Sequence, residues 1–413
     1  MFCGRNSTAV IFKRGTSMNL FSFNHKTKKV HIAIVFTLMF VNAFAFQNCS
    51  NGQFQSAIGL PAENSSSSIE DGGSLPTNPQ PPLQVDVPTG MKLVYLAAGH
   101  AGRSMMSCDD GQTWINNRTD LNAVPDDHST TSGRAVDSAN GYFYALYGWG
   151  YNGTLRRSRD GVNWTVIQSD NWGGGIAAGK DIFFRSVEGG GFYTSTDFGT
   201  TLTKINGASI ENIPDMLDHP SISRVNDKLF APARNQTLAV SYDQGKSWTL
   251  NRQTLLGVTS NSPIAEGNGV ILSLAFDYSK GEGNMSRSID NGKTWVDINH
   301  GDIGGSWSNK IVFDGTDLIV WAGGMTWKSK NGLTWIKTRA KIDGVDAPWF
   351  WGGVMAYNPE TKMFVAITGD NAGQKIYRSA DAINWTSISS TKYKTGNSLF
   401  LITLGPMDSA YCP

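Results

Sequence analysis

No long block of one charge sign occurs in this chain. Its 35 Lys and Arg residues stand against 34 Asp and Glu, giving a formal net charge of +1 over 413 residues. Nucleic-acid binding rests on a basic footprint, and its absence argues against that class of partner. Six histidines are scattered without metal-ligand spacing such as H-E-x-x-H, so no metal site is expected. There is no G-x-S-x-G elbow, no Walker loop and no EF-hand loop, and no cofactor is implied. Glutamate is rare after residue 90, limited to Glu188, Glu211, Glu266, Glu282 and Glu360. Of four cysteines, only Cys108 and Cys412 lie in that region.

What the chain does have is one short phrase, seven times over: Ser, any residue, Asp, usually Gly, then Trp. The copies are Ser107-Cys-Asp-Asp-Gly-Gln-Thr-Trp114, Ser158-Arg-Asp-Gly-Val-Asn-Trp164, Ser195-Thr-Asp-Phe-Gly-Thr-Thr-Leu202 and Ser241-Tyr-Asp-Gln-Gly-Lys-Ser-Trp248. Ser288-Ile-Asp-Asn-Gly-Lys-Thr-Trp295, Ser329-Lys-Asn-Gly-Leu-Thr-Trp335 and Ser379-Ala-Asp-Ala-Ile-Asn-Trp385 complete the set. A period averaging about 45 residues fits a four-stranded propeller blade. Each phrase reads as a hairpin tip: Asp, Asn and Gly are turn residues, and the carboxylate can accept from backbone N–H groups two or three positions on. The Trp, just past the turn, offers a large apolar face for burial.

This phrase resembles the Asp-box, or BNR, repeat of sialidases and several other propeller families. In those families the box lies on the blade perimeter, away from the active site. The resemblance therefore implies structural roles for Asp109, Asp160, Asp197, Asp243, Asp290, Asn331 and Asp381. Three copies depart from the pattern: Asn331 replaces Asp, Leu202 replaces Trp, and Ala382 stands where Gly is expected. The expected fold is all-β, a seven-bladed propeller over residues 91–413 with four-stranded blades. The first blade, starting at Lys92-Leu-Val-Tyr-Leu-Ala97, looks short, and Leu399-Phe-Leu-Ile-Thr-Leu404 is a spare strand that would complete it and close the ring. A disulfide between Cys108 and Cys412 would staple first blade to last and suits an exported protein.

The N-terminus carries Lys26, Lys28 and Lys29 ahead of an apolar stretch from His31 to Phe46, the pattern of a secretory signal over residues 1–48, with Met18 an alternative start. Ala43-Phe-Ala45 offers an ordinary signal-peptidase site. Phe46-Gln-Asn-Cys49 instead places Cys49 where a bacterial lipoprotein is lipidated. Residues 49–90 are rich in Ser, Gly, Asn and Pro and read as a disordered tether. The expected address is the bacterial outer membrane or cell surface as a lipoprotein, touching the membrane only through the lipid, or else the medium as a secreted protein.

In a propeller, ligands meet the loops from outermost to next innermost strand and those between second and third strands. Here these segments are aromatic: Trp149, Tyr151, Trp172, Trp307, Trp349 and Trp351. Trp faces beside Asn and Asp suit sugar rings, and the same residues also suit packing at the channel mouth. The sialidase-type F/Y-R-I-P motif is missing from the first blade, and Arg134, Arg185 and Arg224 are the arginines that could converge on the axis. Loop carboxylates Asp126, Asp127, Asp215, Asp218 and Asp346 could supply the acid and base of a glycoside hydrolase, resembling the xyloglucan hydrolases, if their separation allowed it. The favoured expectation is binding of a glycan or of an envelope or extracellular protein without catalysis, with glycoside hydrolysis and an assembly scaffold as alternatives.

Overall fold

The computed structural model describes residues 87–99, 102–118, 133–148, 153–169, 173–179, 181–186, 191–205, 221–259, 262–277, 282–299, 303, 310–348, 353–368, 375–389 and 399–413. The chain divides into Met1–Asp71 and Gly72–Pro413, and every described residue lies in the second unit.

Among the described residues the strands hydrogen-bond into seven sheets. Sheet I holds Met91–Gly99, Ser104–Ser107, Ile115–Arg118 and the C-terminal Leu399–Asp408. Sheet II is Gly133–Ala139, Tyr142–Tyr147, Thr154–Ser158 and Thr165–Gln168; sheet III is Gly173–Ala177, Ile182–Ser186, Gly191–Ser195 and Thr203–Lys204. Sheet IV is Ser223–Val225, Lys228–Ala233, Thr237–Ser241 and Thr249–Asn251; sheet V is Ile264–Gly267, Val270–Asp277, Glu282–Ser288 and Val296–Asn299. Sheet VI is Ile311–Phe313, Leu318–Ala322, Met325–Ser329 and Ile336–Arg339. Sheet VII begins with Gly353–Asn358, Met363–Thr368, Lys375–Ser379 and Asn384–Ser387. Leu399–Asp408 runs antiparallel to Met91–Gly99 along the whole length of that strand, with a register shift at Ala98/Gly99.

Burial explains why the sheets stack side by side. Middle strands such as Thr237–Ser241 and Leu318–Ala322 are buried at every position, because both of their faces meet a neighbouring sheet. Outer strands such as Thr165–Gln168 and Ile336–Arg339 have no buried position. Seven apolar clusters fill the seams, one for each adjacent pair of sheets. Val94, Leu96 and Met106 meet Val136 and Phe143 between sheets I and II, for example, and Tyr95 and Met105 meet Val365 and Ile376 between I and VII. The innermost strands touch in cyclic order, Leu399–Asp408 to Gly133–Ala139 and onward to Gly353–Asn358, which returns to Leu399–Asp408. This is the architecture of an all-β propeller.

Sheet VII departs from the expected four strands. It carries two more, Lys341–Ile342 and Val345–Asp346, as a hairpin on its outer edge. Lys341–Ile342 runs parallel to Asn384–Trp385, and Asp343 N donates to Trp385 O at 2.9 Å. Asp343 (φ 52°) and Gly344 (φ 82°) form the two-residue turn, a left-handed pair suited to hairpins. Part of the connection from sheet VI to sheet VII, where a ligand-side loop is expected, therefore lies at the perimeter, where it covers an edge that would otherwise be open.

The segment 252–262 also differs from a free loop. Gly257 N donates to Ser286 Oγ (2.9 Å), Ser273 Oγ donates to Gly257 O (2.7 Å), and Leu256 N donates to Asp297 Oδ1 (2.9 Å), strapping it onto sheet V. A Cβ on Gly257 would lie 2.2 Å from Ser286 N and 2.6 Å from Ser273 O. Gly257→Ala is expected to lift the strap and cost about 1–3 kcal/mol. Limited proteolysis checks this: new cleavage within 252–262 is the expected result, and an unchanged digest contradicts it.

Candidate functional site

The seven Ser-x-Asp phrases all fall between the third and fourth strands of a sheet, and their side chains are engaged locally. In the first, Asp109 Oδ1 accepts from Ser107 Oγ (2.8 Å) and Thr113 N (2.9 Å), while Oδ2 accepts from Thr113 Oγ1 (2.6 Å). Gly111 N donates back to Ser107 Oγ at 2.8 Å, and Trp114 Nε1 donates to Gly111 O at 3.1 Å. Asp290 repeats this pattern with Ser288, Thr294, Gly292 and Trp295. Asp197 does so with Ser195 and Thr201, and Asp243 with Ser241 and Ser247.

The copies one residue shorter solve the same problem differently. Asp160 and Asp381 each accept from the backbone two and three residues on and from an Asn side chain, Asn163 or Asn384. Asn331 substitutes its amide oxygen, accepting from Leu333 N and Thr334 N at 2.9 Å each. Ala382 takes the glycine's left-handed conformation (φ 58°), and Leu202 packs with Ile176 and Ile182 in place of a tryptophan.

These donors set the carboxylates' acidity. For Asp109, Asp160, Asp243, Asp290 and Asp381, burial pushes the pKa upward, but the hydrogen bonds outweigh it and hold each below the ordinary Asp value. Asp197 is lowered to about 2, chiefly by the Thr201 hydroxyl and N–H. A carboxylate with a folded pKa below its unfolded one stabilises the fold above the unfolded value, near pH 4, and loses that contribution as pH falls through the folded one. The expected result is a thermal midpoint steady from neutral pH to about 5 that drops steeply between about 4 and 2. A midpoint flat across that window would contradict it.

The turns also form the seams. In three copies the arginine just before the serine reaches the next sheet's turn and donates to the carbonyl preceding its glycine. Arg157 Nη1 donates to Phe198 O (2.5 Å), Arg287 Nε to Asn331 O (2.7 Å), and Arg378 Nε to Asp110 O. The glycines press on the preceding sheet: a Cβ on Gly111 would lie 2.8 Å from Val365 Cγ2, and one on Gly332 2.8 Å from Leu272 Cδ2. Asp110 further accepts from Asn358 Nδ2 (3.0 Å) and Thr361 Oγ1 (2.9 Å), and Tyr95 Oη donates to Met363 O (2.6 Å), so sheets I and VII are joined by polar contacts as well. The Arg-Ser-x-Asp spelling carried this information in the sequence, in three of the seven copies.

The face expected from the sequence to meet ligands is the one opposite these turns. Trp149, Tyr151, Trp172, Trp307, Trp349 and Trp351 lie outside the described residues, as do Asp126, Asp127, Asp215, Asp218 and Cys49. Asp346 is described and does not belong to that face: it is exposed on the outer hairpin of sheet VII. Arg224 does not present its guanidinium to a substrate carboxylate either. It donates to Asp181 O (3.1 Å) and to Gln244 Oε1, bridging turns on the same side as the Ser-x-Asp phrases. At the base of the 149–152 segment, Arg156 stacks 5.0 Å over the buried Tyr147 ring and donates Nε to Thr154 Oγ1 (2.8 Å). Sequence reasoning passed over that cation–π pair. Cys108 and Cys412 form a disulfide with Cα atoms 5.9 Å apart. Among the described residues, no group of three or more His, Cys, Asp or Glu is placed to hold a metal ion.

The described residues thus form an all-β propeller whose Ser-x-Asp turns link the third and fourth strands of each sheet. No protein-family model matches the chain, and no curated protein does. Among solved structures it is similar to YCF48 bound to D1 peptide, at 18% identity over 67% of this chain and 88% of that one, with a TM-score of 0.46. It is similar to the GH74 xyloglucanase from Xanthomonas campestris at 15% identity and a TM-score of 0.49, over 71% of this chain and 52% of that one. TolB from Acinetobacter baumannii is similar at 10% identity, a TM-score of 0.39, and 78% and 68% coverage. At these identities and scores, none of them assigns an activity to this chain.

Proposed function

We propose that the chain is an exported seven-bladed Asp-box propeller, closed by its C-terminal strand and held at the cell surface by a lipid on Cys49. In this reading it recognises a glycan, or an envelope or extracellular protein, without catalysis. The observation that carries the reading is the engagement of the repeat carboxylates. All six box aspartates have both oxygens occupied by donors of their own turn, and their lowered pKa suits a permanent anion rather than a general acid. Asp346, a candidate acid or base, is exposed on the outer hairpin of sheet VII. Seven sheets, seven seams and the pairing of Leu399–Asp408 with Met91–Gly99 support the closed ring. The Cys108–Cys412 disulfide supports an oxidising destination.

The test is a glycan-array screen of residues 91–413 with hydrolysis products assayed in the same wells. Selective binding without cleavage, lost on Trp349→Ala with Trp351→Ala, is the expected result. Cleavage would overturn the non-catalytic reading. Silence in both channels would leave a protein partner as the ligand of that face, to be sought by cross-linking on intact cells.

A further inference from the structure

Lys310 and Ser138, the neighbour of Asp137, both donate to the backbone of the C-terminal strand Leu399–Asp408. Lys310 immediately precedes the innermost strand of sheet VI, yet its Nζ donates to Ile402 O on the innermost strand of sheet I, at 2.7 Å. Sheet VII stands between VI and I in the cyclic order, so this side chain passes across the interior of the ring to reach its acceptor. Two residues further along the same strand, Leu404 O accepts from Ser138 Oγ of sheet II, also at 2.7 Å. Carbonyls two residues apart on one strand edge are about 6–7 Å from one another. The residue next to Ser138 is Asp137, whose Oδ2 accepts from Ala178 N of sheet III (2.7 Å) and whose Oδ1 accepts from Ser138 N (2.8 Å).

We propose that Lys310 and Asp137 form one brace across the interior of the ring, tying sheets VI, I, II and III, in which each ion is tolerated because the other is present. An innermost strand has no further strand to pair with, so its edge N–H and C=O groups need partners. Here an ammonium supplies the donor for Ile402 O and a carboxylate the acceptor for Ala178 N. Both side chains are half-buried, and a charge withdrawn from water alone is more costly than one with a counter-charge. Burial pushes the Asp137 carboxyl above the usual range against its N–H donors, Lys310 and Arg224 of sheet IV. Burial pulls the Lys310 ammonium down, with Asp137 opposing.

The experiment is a double-mutant cycle on the full chain with Lys310→Met, Asp137→Asn and the pair, read by urea unfolding. The brace predicts that the double variant loses less than the product of the two single losses, by about tenfold in the folding equilibrium constant. Losses that simply multiply would overturn it. Where a single variant does not fold, amine labelling of the wild-type protein decides. Lys310 is expected to react at least tenfold more slowly than exposed Lys293 and Lys341, and equal rates would refute the brace.

Discussion

Trp385→Ala is expected to cost about 3–5 kcal/mol, the range for truncating a buried large aromatic. The ring is 2% exposed, stacks on Trp321 with centroids 4.3 Å apart at 23°, and meets Phe364 edge-on at 6.5 Å. Its Nε1 donates to Ala382 O at 2.9 Å, in the one copy of the phrase where alanine occupies the left-handed position. Trp321 belongs to sheet VI and Trp385 to sheet VII, so the truncation opens a cavity in the seam. It also deprives the turn of the donor that fixes a strained residue. Urea unfolding followed by circular dichroism gives the loss. The comparison that matters is Trp164→Ala: that ring is half-buried and donates Nε1 to Ser104 Oγ of the neighbouring sheet, so its loss should be distinctly smaller. Equal losses at the two positions would mean that seam packing is not what the tryptophans contribute.

The contrast between these two tryptophans shows where the sequence is informative. The phrase Ser-x-Asp-Gly-Trp locates a turn, because Asp109 or Asp290 can only satisfy N–H groups a few residues on, and the structure places those turns accordingly. It does not say which indole nitrogen finds its own turn and which crosses the seam, since that depends on the facing sheet. The spare strand near residue 400 is visible as an apolar run, while its continuation through Gly405-Pro-Met-Asp408 is not, because Gly and Pro read as breakers. Gly405 is there for a different reason: a Cβ would lie 2.3 Å from the Ser138 side chain on the adjoining strand. The hairpin at Lys341–Asp346 carried an Asp-Gly turn signal, but strands of two residues are too short to show alternation. The brace was the least legible feature. Asp137 and Lys310 are single charges in unremarkable surroundings, 173 positions apart in the sequence, and only the packing of the sheets brings Lys310 and Ser138, the neighbour of Asp137, to one strand edge.

Removing the disulfide is the second large effect expected. The bond joins residues 304 apart, Cys108 in the first Ser-x-Asp turn and Cys412 just past the short 3-10 turn Ser409–Tyr411 that ends the C-terminal strand. In the chain-entropy model a loop of that length corresponds to about 5–6 kcal/mol, and measured losses for native bridges run to about 2–5 kcal/mol. The strand it secures is a point of convergence. Leu399–Asp408 pairs with Met91–Gly99, supplies Ile402 O and Leu404 O to Lys310 and Ser138, and packs Met407 against the sheet II seam. Cys412→Ser should therefore lower the unfolding midpoint and expose the C-terminal strand to carboxypeptidase, whereas a surface change such as Lys293→Ser should do neither. Reductant supplies the internal check: it should bring the wild-type protein down to the level of Cys412→Ser and leave the variant unchanged. A wild-type midpoint indifferent to reductant, with the bond shown to be open, would mean that strand pairing and seam packing alone hold the C-terminal strand in sheet I.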